Sequence, residues 1–297
     1  MLSTTPFSEN FCEQWKSLLQ KLYGYQFEAD FAVVPSLSGK RTFSYLPLLS
    51  YTDRFSSQTD DLFNQLPDGQ PYQIRVLNPE YNDFKANEPV TMRLDLRKKN
   101  VDELWASFLS KARNQIRKAQ KTGLIIKRGK PAAQLRDDFY EIFTITMARY
   151  GTPRFDYRLF QLLSEIFKSQ YYVVYKENIP ISALVVIPDE QIAWVGWAGS
   201  RPHFKKYCPN NLMYWHAIQD AFEQGKTIFD FGRSGFGSNT FKFKSQWRAQ
   251  PVKIDILQSI QVDIYKKYSF ASALWKILPQ PVANYIGPKL CKYLVDL

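Results

Sequence analysis

The chain has 297 residues, enough for one large domain or for two of roughly 150 residues each. Its hydrophobic fraction of 45% and charged fraction of 23% are those of a globular protein and exclude a disordered one; no run of about 18 apolar residues is present, which excludes a transmembrane helix. The net charge of +11 predicts a polyanionic partner such as a nucleotide, tRNA, a nucleotide-sugar or an acidic lipid surface.

The cysteines and the first residues of the chain bear on the compartment. Cys12, Cys208 and Cys291 are far apart and odd in number, which argues against a disulfide scaffold and fits a reducing compartment. The opening sequence MLSTTPFSEN lacks the basic and apolar regions of a secretory signal. We therefore expect a cytoplasmic protein, with the inner face of the membrane as a second candidate location.

The N-terminal part predicts a helix followed by strands. Apolar residues recur at helical spacing over residues 8–22, with Ser8 as the N-cap. Two β-like runs, 31–37 and 42–46, flank Ser38-Gly39-Lys40 and indicate a hairpin. Residues 54–66 are weakly helical, and two further strands are predicted over 71–77 and 89–96. In the latter, Met92 and Leu94 alternate with Arg93 and Asp95, which is typical of a half-buried strand.

A long basic helix is predicted over Val101–Thr122, ended by Gly123. Residues 97–130 hold eleven basic and two acidic side chains, and Arg113, Arg117 and Lys121 follow one another at intervals of four. Such a row is either a solvated face or an anion-binding surface, and its charge density favours the second interpretation. We place a domain boundary after this helix, which divides the chain into lobes 1–122 and 123–297.

The second lobe should contain an antiparallel meander. After a strand over 124–127 and helices over 132–149 and 156–168, three strands follow in tandem, 171–176, 181–187 and 192–198. Gly196 and Gly199 stand in the last of them. A glycine inside a strand indicates a bulge or a close backbone approach; the alternative is that both glycines ease a crowded aromatic sheet.

The loop after the meander is basic and leads into a helix. Arg201, Lys205 and Lys206 precede Asn210 and Asn211, which begin a helix predicted to reach Gln224. Because a helix N-terminus presents free N–H groups and a positive dipole end, this arrangement predicts an anion site.

The next segment combines a strand, a glycine turn and a short helix. The strand 227–231 ends in Gly232-Arg233-Ser234-Gly235, and the helix presents aromatic and basic side chains. It can be a catalytic turn, or simply a strand and an amphipathic helix with aromatic residues in the core. A strand over 251–257 and a basic helical tail over 265–297 follow; the tail either packs on the body or lies on a membrane surface.

Several of these segments together resemble the FemAB-like branch of the GNAT-type acyltransferases. They are LPLLSYTD (46–53), ARNQIRKAQKTGLIIKRG (112–129), FTITMARYGTP (143–153), CPNNLMYW (208–215), DFGRS (230–234) and FKFKSQW (241–247). The resemblance implies an α+β fold of tandem GNAT-like lobes, each a mixed, mostly antiparallel sheet flanked by helices.

The resemblance also implies an activity. Members of this group move an acyl or aminoacyl group from an activated anionic carrier to a primary amine, in peptidoglycan or exopolysaccharide biosynthesis. The acceptor would be a cell-envelope precursor or an amino sugar, and the donor acyl-CoA or aminoacyl-tRNA. The glycine-rich pyrophosphate loop usual for coenzyme A is absent before Asn210, which makes an aminoacyl-tRNA donor as plausible as acyl-CoA.

Roles for single residues follow from the same resemblance. Lys244 would stabilise the oxyanion or position the donor phosphate, and Tyr214 would relay a proton to the leaving group. The residues expected to bind substrate are Tyr51, Asp230, Arg233, Ser234, Phe243 and Trp247. The residues expected to bind the donor phosphate are Arg201, Lys205, Lys206, Asn210 and Asn211. No metal is expected, because His203, Cys208 and His216 do not have the spacing of a zinc site.

A second hypothesis belongs to another class of function. The same basic cleft could bind nucleic acid or an acidic glycan without catalysis, and such binding would weaken steeply with salt. The absent phosphate loop favours this hypothesis, and the segments DFGRS and FKFKSQW oppose it.

Overall fold

A computed structural model describes residues 5–35, 41–129, 133–259, 272–273 and 275–294. The chain divides into two compact units, each assembled from separate stretches of sequence. Unit 1 contains Thr5, Glu80–Thr146 and Leu163–Lys253, and unit 2 contains Pro6–Pro79, Met147–Leu162 and Ile254–Leu297, each as far as described. The division into lobes 1–122 and 123–297 stays a prediction.

Unit 2 begins with a helix and a small mixed sheet. Its first elements are α1 (Glu9–Tyr23), β1 (Gln26–Glu28), β2 (Phe31–Pro35), β3 (Arg41–Tyr45), α2 (Asp60–Phe63) and β4 (Tyr72–Asn78). The predicted cap is confirmed: Ser8 Oγ accepts from the Phe11 amide over 3.1 Å, and Gly24 ends the helix at φ +71°. Strands β2 and β3 form the predicted antiparallel hairpin, whose turn residues 36–40 lie outside the described part, and β3 pairs with β4 in parallel.

Unit 1 is built on a larger mixed sheet flanked by helices. Its elements up to the middle of the chain are β5 (Pro89–Asp95), α3 (Val101–Ser107), α4 (Ser110–Gln120), β6 (Ile125–Gly129), α5 (Ala133–Tyr150) and α6 (Tyr157–Phe167). There follow β7 (Gln170–Lys176), β8 (Ile179–Pro188), β9 (Ile192–Ser200), a 3₁₀ turn (Pro202–Tyr207), α7 (Pro209–Glu223), β10 (Ile228–Gly235), α8 (Asn239–Ser245) and β11 (Gln250–Gln258). The last four residues of α5, the first six of α6 and the second half of β11 belong to unit 2.

The strand order of this sheet places β10 in its interior, between β5 and β9. The order is β11-β5-β10-β9-β8-β7-β6, and β7, β8 and β9 form the predicted antiparallel meander. Strand β10 is antiparallel to β5 and parallel to β9. The α+β class predicted from the sequence is therefore confirmed.

The long basic helix predicted over Val101–Thr122 is instead two helices, α3 and α4. Phe108 and Leu109 between them are extended, with ψ of 153° and 146°. The ring of Phe108 meets Trp215 and Trp247 edge-on, with centroids 5.8 and 5.2 Å apart, and the Leu109 amide donates to the Gln246 carbonyl oxygen over 3.1 Å. Aromatic packing at this point outweighs the helical propensity of the segment.

The basic tail is described only in part. It contains helix α9 (Gln280–Cys291), whereas residues 260–271, 274 and 295–297 of the predicted tail lie outside the described residues. Within the described ranges, no helix combines the length and apolarity needed to cross a bilayer.

Candidate active site

Strand β9 carries the bulge predicted at Gly196. Val185 of β8 pairs with Trp197 and Val186 pairs with Val195, so Gly196 is the extra residue on β9. A Cβ atom at Gly196 would lie 2.9 Å from the Ile187 side chain. A larger residue at this position would therefore require the end of the Ile187 side chain to move.

A second bulge lies on the neighbouring strand β10. Asp230 pairs with Arg93 and Arg233 with Thr91, so two residues of β10 face one residue of β5. Between them, Gly232 has φ +75°, and a Cβ atom there would lie 2.8 Å from the Val195 carbonyl oxygen. Only glycine combines this conformation with this close approach.

The parallel pairing of the two bulged strands ends where the bulges begin. Their parallel ladder covers three positions, from Ile228 opposite Ile192 to Asp230 opposite Trp194. Beyond that level β9 continues to Ser200 and β10 to Gly235 without further pairs in that ladder. The parallel pairing of β9 with β10 therefore ends at Asp230, directly before the bulge of each strand.

Asp230 fixes the main chain of the β10 bulge. Its carboxylate is fully buried and accepts hydrogen bonds from Thr91 Oγ1 (2.5 Å), Gly232 N (2.7 Å) and Arg93 Nε (3.0 Å). Arg93 is also fully buried, and its Nη1 donates to the Thr5 carbonyl oxygen over 2.7 Å. The predicted substrate-binding residue Asp230 thus lies inside a buried ion pair.

Sequence reasoning missed Arg93 and Thr91. The alternation along residues 89–96 predicted a half-buried strand with Arg93 on the exposed face. Instead β5 is buried on both faces, because the arginine is neutralised by Asp230, 137 residues further along the chain. A buried arginine requires such a partner, and only the long-range pairing of β5 with β10 identifies it.

Lys244 reaches the same bulge from α8. Ser238 caps this helix by accepting from the Phe241 amide over 3.2 Å. The ammonium group of Lys244 donates to the carbonyl oxygens of Gly232 and Arg233, both over 2.9 Å, and its side chain is buried. Burial lowers the pKa of Lys244 to about 7, although the Asp230 carboxylate opposes this. An amine with this pKa can hold or release a proton near neutral pH.

Tyr214 lies with the predicted aromatic residues of the segment after the glycine turn. Its ring centroid is 5.3 Å from Phe231, 5.4 Å from Phe243 and 6.4 Å from Trp247. Trp247 is fully buried, and its indole N–H has no hydrogen-bond partner among the described residues. These side chains form an apolar wall next to the bulge.

The two residues that follow Gly232 differ in exposure. Arg233 is exposed, whereas Ser234 is buried and its hydroxyl group has no hydrogen-bond partner in the described part of the chain. A buried hydroxyl without a partner is unfavourable by about 1–3 kcal/mol. Ser234 is therefore a candidate for contact with a bound molecule.

The predicted phosphate-binding residues gather at the start of α7 but are engaged differently. Arg201 is paired with Glu141 and donates to the Pro180 carbonyl oxygen over 2.9 Å. Lys205 and Lys206 are exposed on the 3₁₀ turn. The Phe204 and Cys208 amides of this turn bond back to carbonyl oxygens within it, which leaves fewer main-chain donors for an anion.

The two asparagines of α7 are also unlike each other. Asn210 Oδ1 accepts from Ser182 Oγ of β8 over 2.6 Å, so Asn210 helps to join the helix to the sheet. Asn211 is buried, and its side-chain nitrogen Nδ2 lacks a hydrogen-bond partner within the described residues. Of the two, Asn211 has a donor to offer to a ligand.

Helix α4 carries cations without acidic partners. Its buried face consists of Ala112, Ile116 and Ala119, and it packs against α7. Its basic residues are Lys111, Arg113, Arg117 and Lys118, followed by Lys121, and none forms an ion pair in the ranges that the structure describes.

Tyr51, the remaining predicted substrate-binding residue, belongs to unit 2. Its side chain is fully buried, and its ring stacks on Phe7 with centroids 4.6 Å apart and planes within 5°. The structure thus places Tyr51 in the core of unit 2, and its contact with substrate stays a prediction.

This chain is similar to known proteins mainly in its fold, and much less in its sequence. The FemX crystal structure has 16% sequence identity and a TM-score of 0.61, with 91% of this chain and 96% of that chain covered. The C-terminal domain of a putative lysylphosphatidylglycerol synthetase from Agrobacterium fabrum has 12% identity and a TM-score of 0.54, with coverages of 90% and 95%. L-PGS from Bacillus licheniformis has 11% identity and a TM-score of 0.52, with coverages of 92% and 99%.

At the level of sequence, no curated protein matches the chain significantly. Residues 106–245 match the family model described as an acetyltransferase (GNAT) domain, and this range includes both bulged strands and the Lys244 contact. Residues 106–245, a little under half of the chain, are therefore similar in sequence to GNAT acetyltransferase domains, and the chain is similar in fold to FemX.

Proposed function

We propose that this protein transfers an acyl or aminoacyl group from an anionic carrier to the primary amine of a cell-envelope precursor or amino sugar. The observation that carries the proposal is the pair of facing bulges, at Gly196 on β9 and at Gly232 on β10, where the parallel ladder ends. An acyl carbonyl lying in this opening would meet a main chain whose conformation is already held by the contacts of Asp230 and Lys244.

The reaction needs few side chains. The neutral acceptor amine attacks the ester or thioester carbonyl, a C–N bond forms, and the carbonyl oxygen becomes an oxyanion. Collapse then breaks the carrier C–O or C–S bond, and the proton lost by the amine is returned to the leaving oxygen or sulfur. Lys244 would stabilise the oxyanion or position the donor phosphate, and Tyr214 would relay the proton.

The substrate-facing residues in this proposal are those with unused hydrogen-bond capacity. The Ser234 hydroxyl and the Asn211 amide are both buried and unpartnered among the described residues. Arg233 is exposed next to Ser234 and would meet an anionic part of the substrate. Phe243 and Trp247 would exclude water from the reacting groups.

The carrier would be either acyl-CoA or aminoacyl-tRNA. Because amides of the 3₁₀ turn are bonded within it, phosphate recognition would depend on the side chains of Lys205, Lys206 and Asn211, with Arg201 and Asn210 holding the turn and helix in place. The unpaired cations of α4 extend the positive surface beyond what one pyrophosphate requires, which favours the larger tRNA.

The proposal is tested by label transfer. The purified protein is incubated with a primary-amine acceptor, a peptidoglycan-precursor peptide or an amino sugar, and with either labelled acetyl-CoA or labelled aminoacyl-tRNA. We expect label in an amide bond with one donor and its strong reduction in Lys244→Ala. No transfer from either donor to either acceptor would contradict the proposed activity.

The alternative is a protein that binds nucleic acid or acidic glycan without catalysis. The specific observation in its favour is that Lys244 is already bonded to two main-chain carbonyls and that the phosphate loop lacks glycine. This alternative predicts binding of uncharged tRNA that weakens steeply with salt, with no transfer under any of the donor conditions.

A further inference from the structure

Exposed apolar side chains are concentrated in helix α9 of unit 2 and in the residues just before it. Seven large apolar side chains of the described residues are exposed, and three lie within nine residues: Ile277 (77% exposed), Val282 (40%) and Tyr285 (69%). Such clustering on a folded surface marks an interaction site more often than scattered single residues do.

One face of helix α9 packs against the rest of unit 2. Ala283, Gly287 and Cys291 are buried. A Cβ atom at Gly287 would lie 3.2 Å from the Arg154 amide nitrogen, and Cys291 Sγ donates to the Arg154 carbonyl oxygen over 3.2 Å. Val282, Tyr285 and Lys289 follow at intervals of three and four on another face, which is turned outward.

The segment that carries this outward face is basic. Residues 272–294 contain three lysines and no Asp or Glu. Lys276, Lys289 and Lys292 form no ion pair with any described residue, and Lys289 Nζ lies 3.6 Å from the Tyr285 ring centroid. Apolar and aromatic side chains bordered by lysines are the composition of helices that lie in a lipid–water interface.

A cavity of about 480 Å³ lies beside these lysines. Its lining includes Tyr23, Asp156, Arg158, Lys289 and Lys292, so cations outnumber the single acid by three to one. The Tyr23 hydroxyl group is buried and has no hydrogen-bond partner in the described chain. A phosphate group would complement both the charge and this unused donor.

We propose that this face of unit 2 binds the surface of an anionic lipid bilayer. Ile277, Val282 and Tyr285 enter the boundary between head groups and acyl chains, the lysines contact lipid phosphates, and one head group occupies the cavity lined by Tyr23. This inference does not depend on the proposed transfer reaction, because it concerns a different unit and needs neither donor nor acceptor.

The test is vesicle flotation of the full chain. Vesicles of phosphatidylcholine are compared with vesicles in which roughly one third of the lipid is phosphatidylglycerol, at low and high salt. We expect binding to the anionic vesicles only, weakened by salt. Each of Lys276→Gln, Lys289→Gln and Lys292→Gln should reduce partitioning about fivefold, the effect of about 1 kcal/mol per cation near an anionic surface.

Two further variants and two controls test whether binding depends on this surface or on charged and apolar residues anywhere on the protein. Ile277→Ser and Tyr285→Ser should weaken binding, whereas Ile179→Ser and Lys168→Gln, at exposed positions of unit 1, should not. All seven substituted positions are exposed or partly exposed, so thermal denaturation should confirm intact folding. Absence of binding to phosphatidylglycerol vesicles, equal losses in the controls, or a dimer disrupted by Tyr285→Ser would overturn the proposal.

Discussion

The ammonium nitrogen of Lys244 lies 2.9 Å from the carbonyl oxygen of Gly232. The amide of the same glycine donates to Asp230 over 2.7 Å, so both polar groups of its main chain are held by side chains. The conformation of the bulge is therefore set before any substrate binds.

Replacing Lys244 should impair both turnover and folding. We expect Lys244→Ala to lower kcat by about two orders of magnitude, the scale of losing one oxyanion donor. The two carbonyl oxygens it leaves without a donor should lower the free energy of unfolding by about 1–3 kcal/mol. Lys242→Ala, at an exposed position of the same helix, is the control for both measurements. A Lys244→Ala variant with normal kcat would remove this residue from the mechanism.

The pKa of Lys244 predicts a pH dependence of stability. Burial lowers this pKa from 10.5 to about 7 in the folded protein, so between pH 7 and 10.5 the unfolded chain binds a proton that the folded chain does not. The free energy of unfolding should therefore rise with pH across that window because of this residue. Urea unfolding of the wild type and of Lys244→Met checks this. The free energy of unfolding of the wild type, relative to that of the variant, should increase as the pH rises through this window. A constant difference would contradict the lowered pKa.

The buried pair of Asp230 and Arg93 should be sensitive to loss of one partner. Asp230→Asn leaves the Arg93 charge buried without compensation, and we expect a loss of about 3–5 kcal/mol in the free energy of unfolding. Thr91→Val removes only one hydrogen bond to the carboxylate and should cost about 1–3 kcal/mol. Asp95→Asn, in the exposed pair with Arg97, should have a much smaller effect. Equal effects of Asp230→Asn and Asp95→Asn would contradict the account.

Two glycines of one segment offer a matched comparison. Gly232 and Gly237 both have positive φ, +75° and +76°, but only at Gly232 would a Cβ atom meet the main chain, 2.8 Å from Val195. Both alanine variants carry the backbone penalty of about 1–2 kcal/mol. Gly232→Ala should be less stable than Gly237→Ala by a further 1–3 kcal/mol or so, measured by urea unfolding, because it also overpacks the bulge. Gly232→Ala should in addition lose transfer activity, whereas Gly237→Ala should retain it.

The cations of α4 should contribute to the salt dependence of the protein's affinity for polyanions. If they contact tRNA phosphates, Arg117→Gln and Lys121→Gln should each reduce the slope of log affinity against log salt by about 0.7–0.9. Filter binding over a salt series measures this slope. Lys168→Gln, at an exposed position outside α4, should leave the slope unchanged. Unchanged slopes in both α4 variants would assign tRNA binding elsewhere.

Local patterns predicted the elements that depend on nearby residues. The cap at Ser8, the hairpin of β2 and β3 and the meander of β7, β8 and β9 are set by hydrophobic period and turn residues. The bulge at Gly196 was indicated by glycine inside an apolar strand and is confirmed. The resemblance to FemAB-like acyltransferases predicted the fold, and the chain is indeed similar in fold to FemX.

Long-range contacts decided what the sequence could not show. The break at Phe108 depends on Trp215 and Trp247, more than one hundred residues away in the chain. The burial of Arg93 depends on Asp230, and the position of the Lys244 ammonium depends on a turn in another element. Periodicity assigns a charged residue to the exposed face unless its partner is known.

Hydrogen exchange at the opening between β9 and β10 tests the central claim most directly. Exchange of main-chain amides is measured with and without acetyl-CoA, and with and without aminoacyl-tRNA. We expect one donor to slow exchange over Gly196–Ser200, Gly232–Gly235 and the first turn of α7, and this protection to be lost in Gly232→Ala. Donor binding that leaves these amides unprotected, or that protects only residues elsewhere in the chain, would contradict the account.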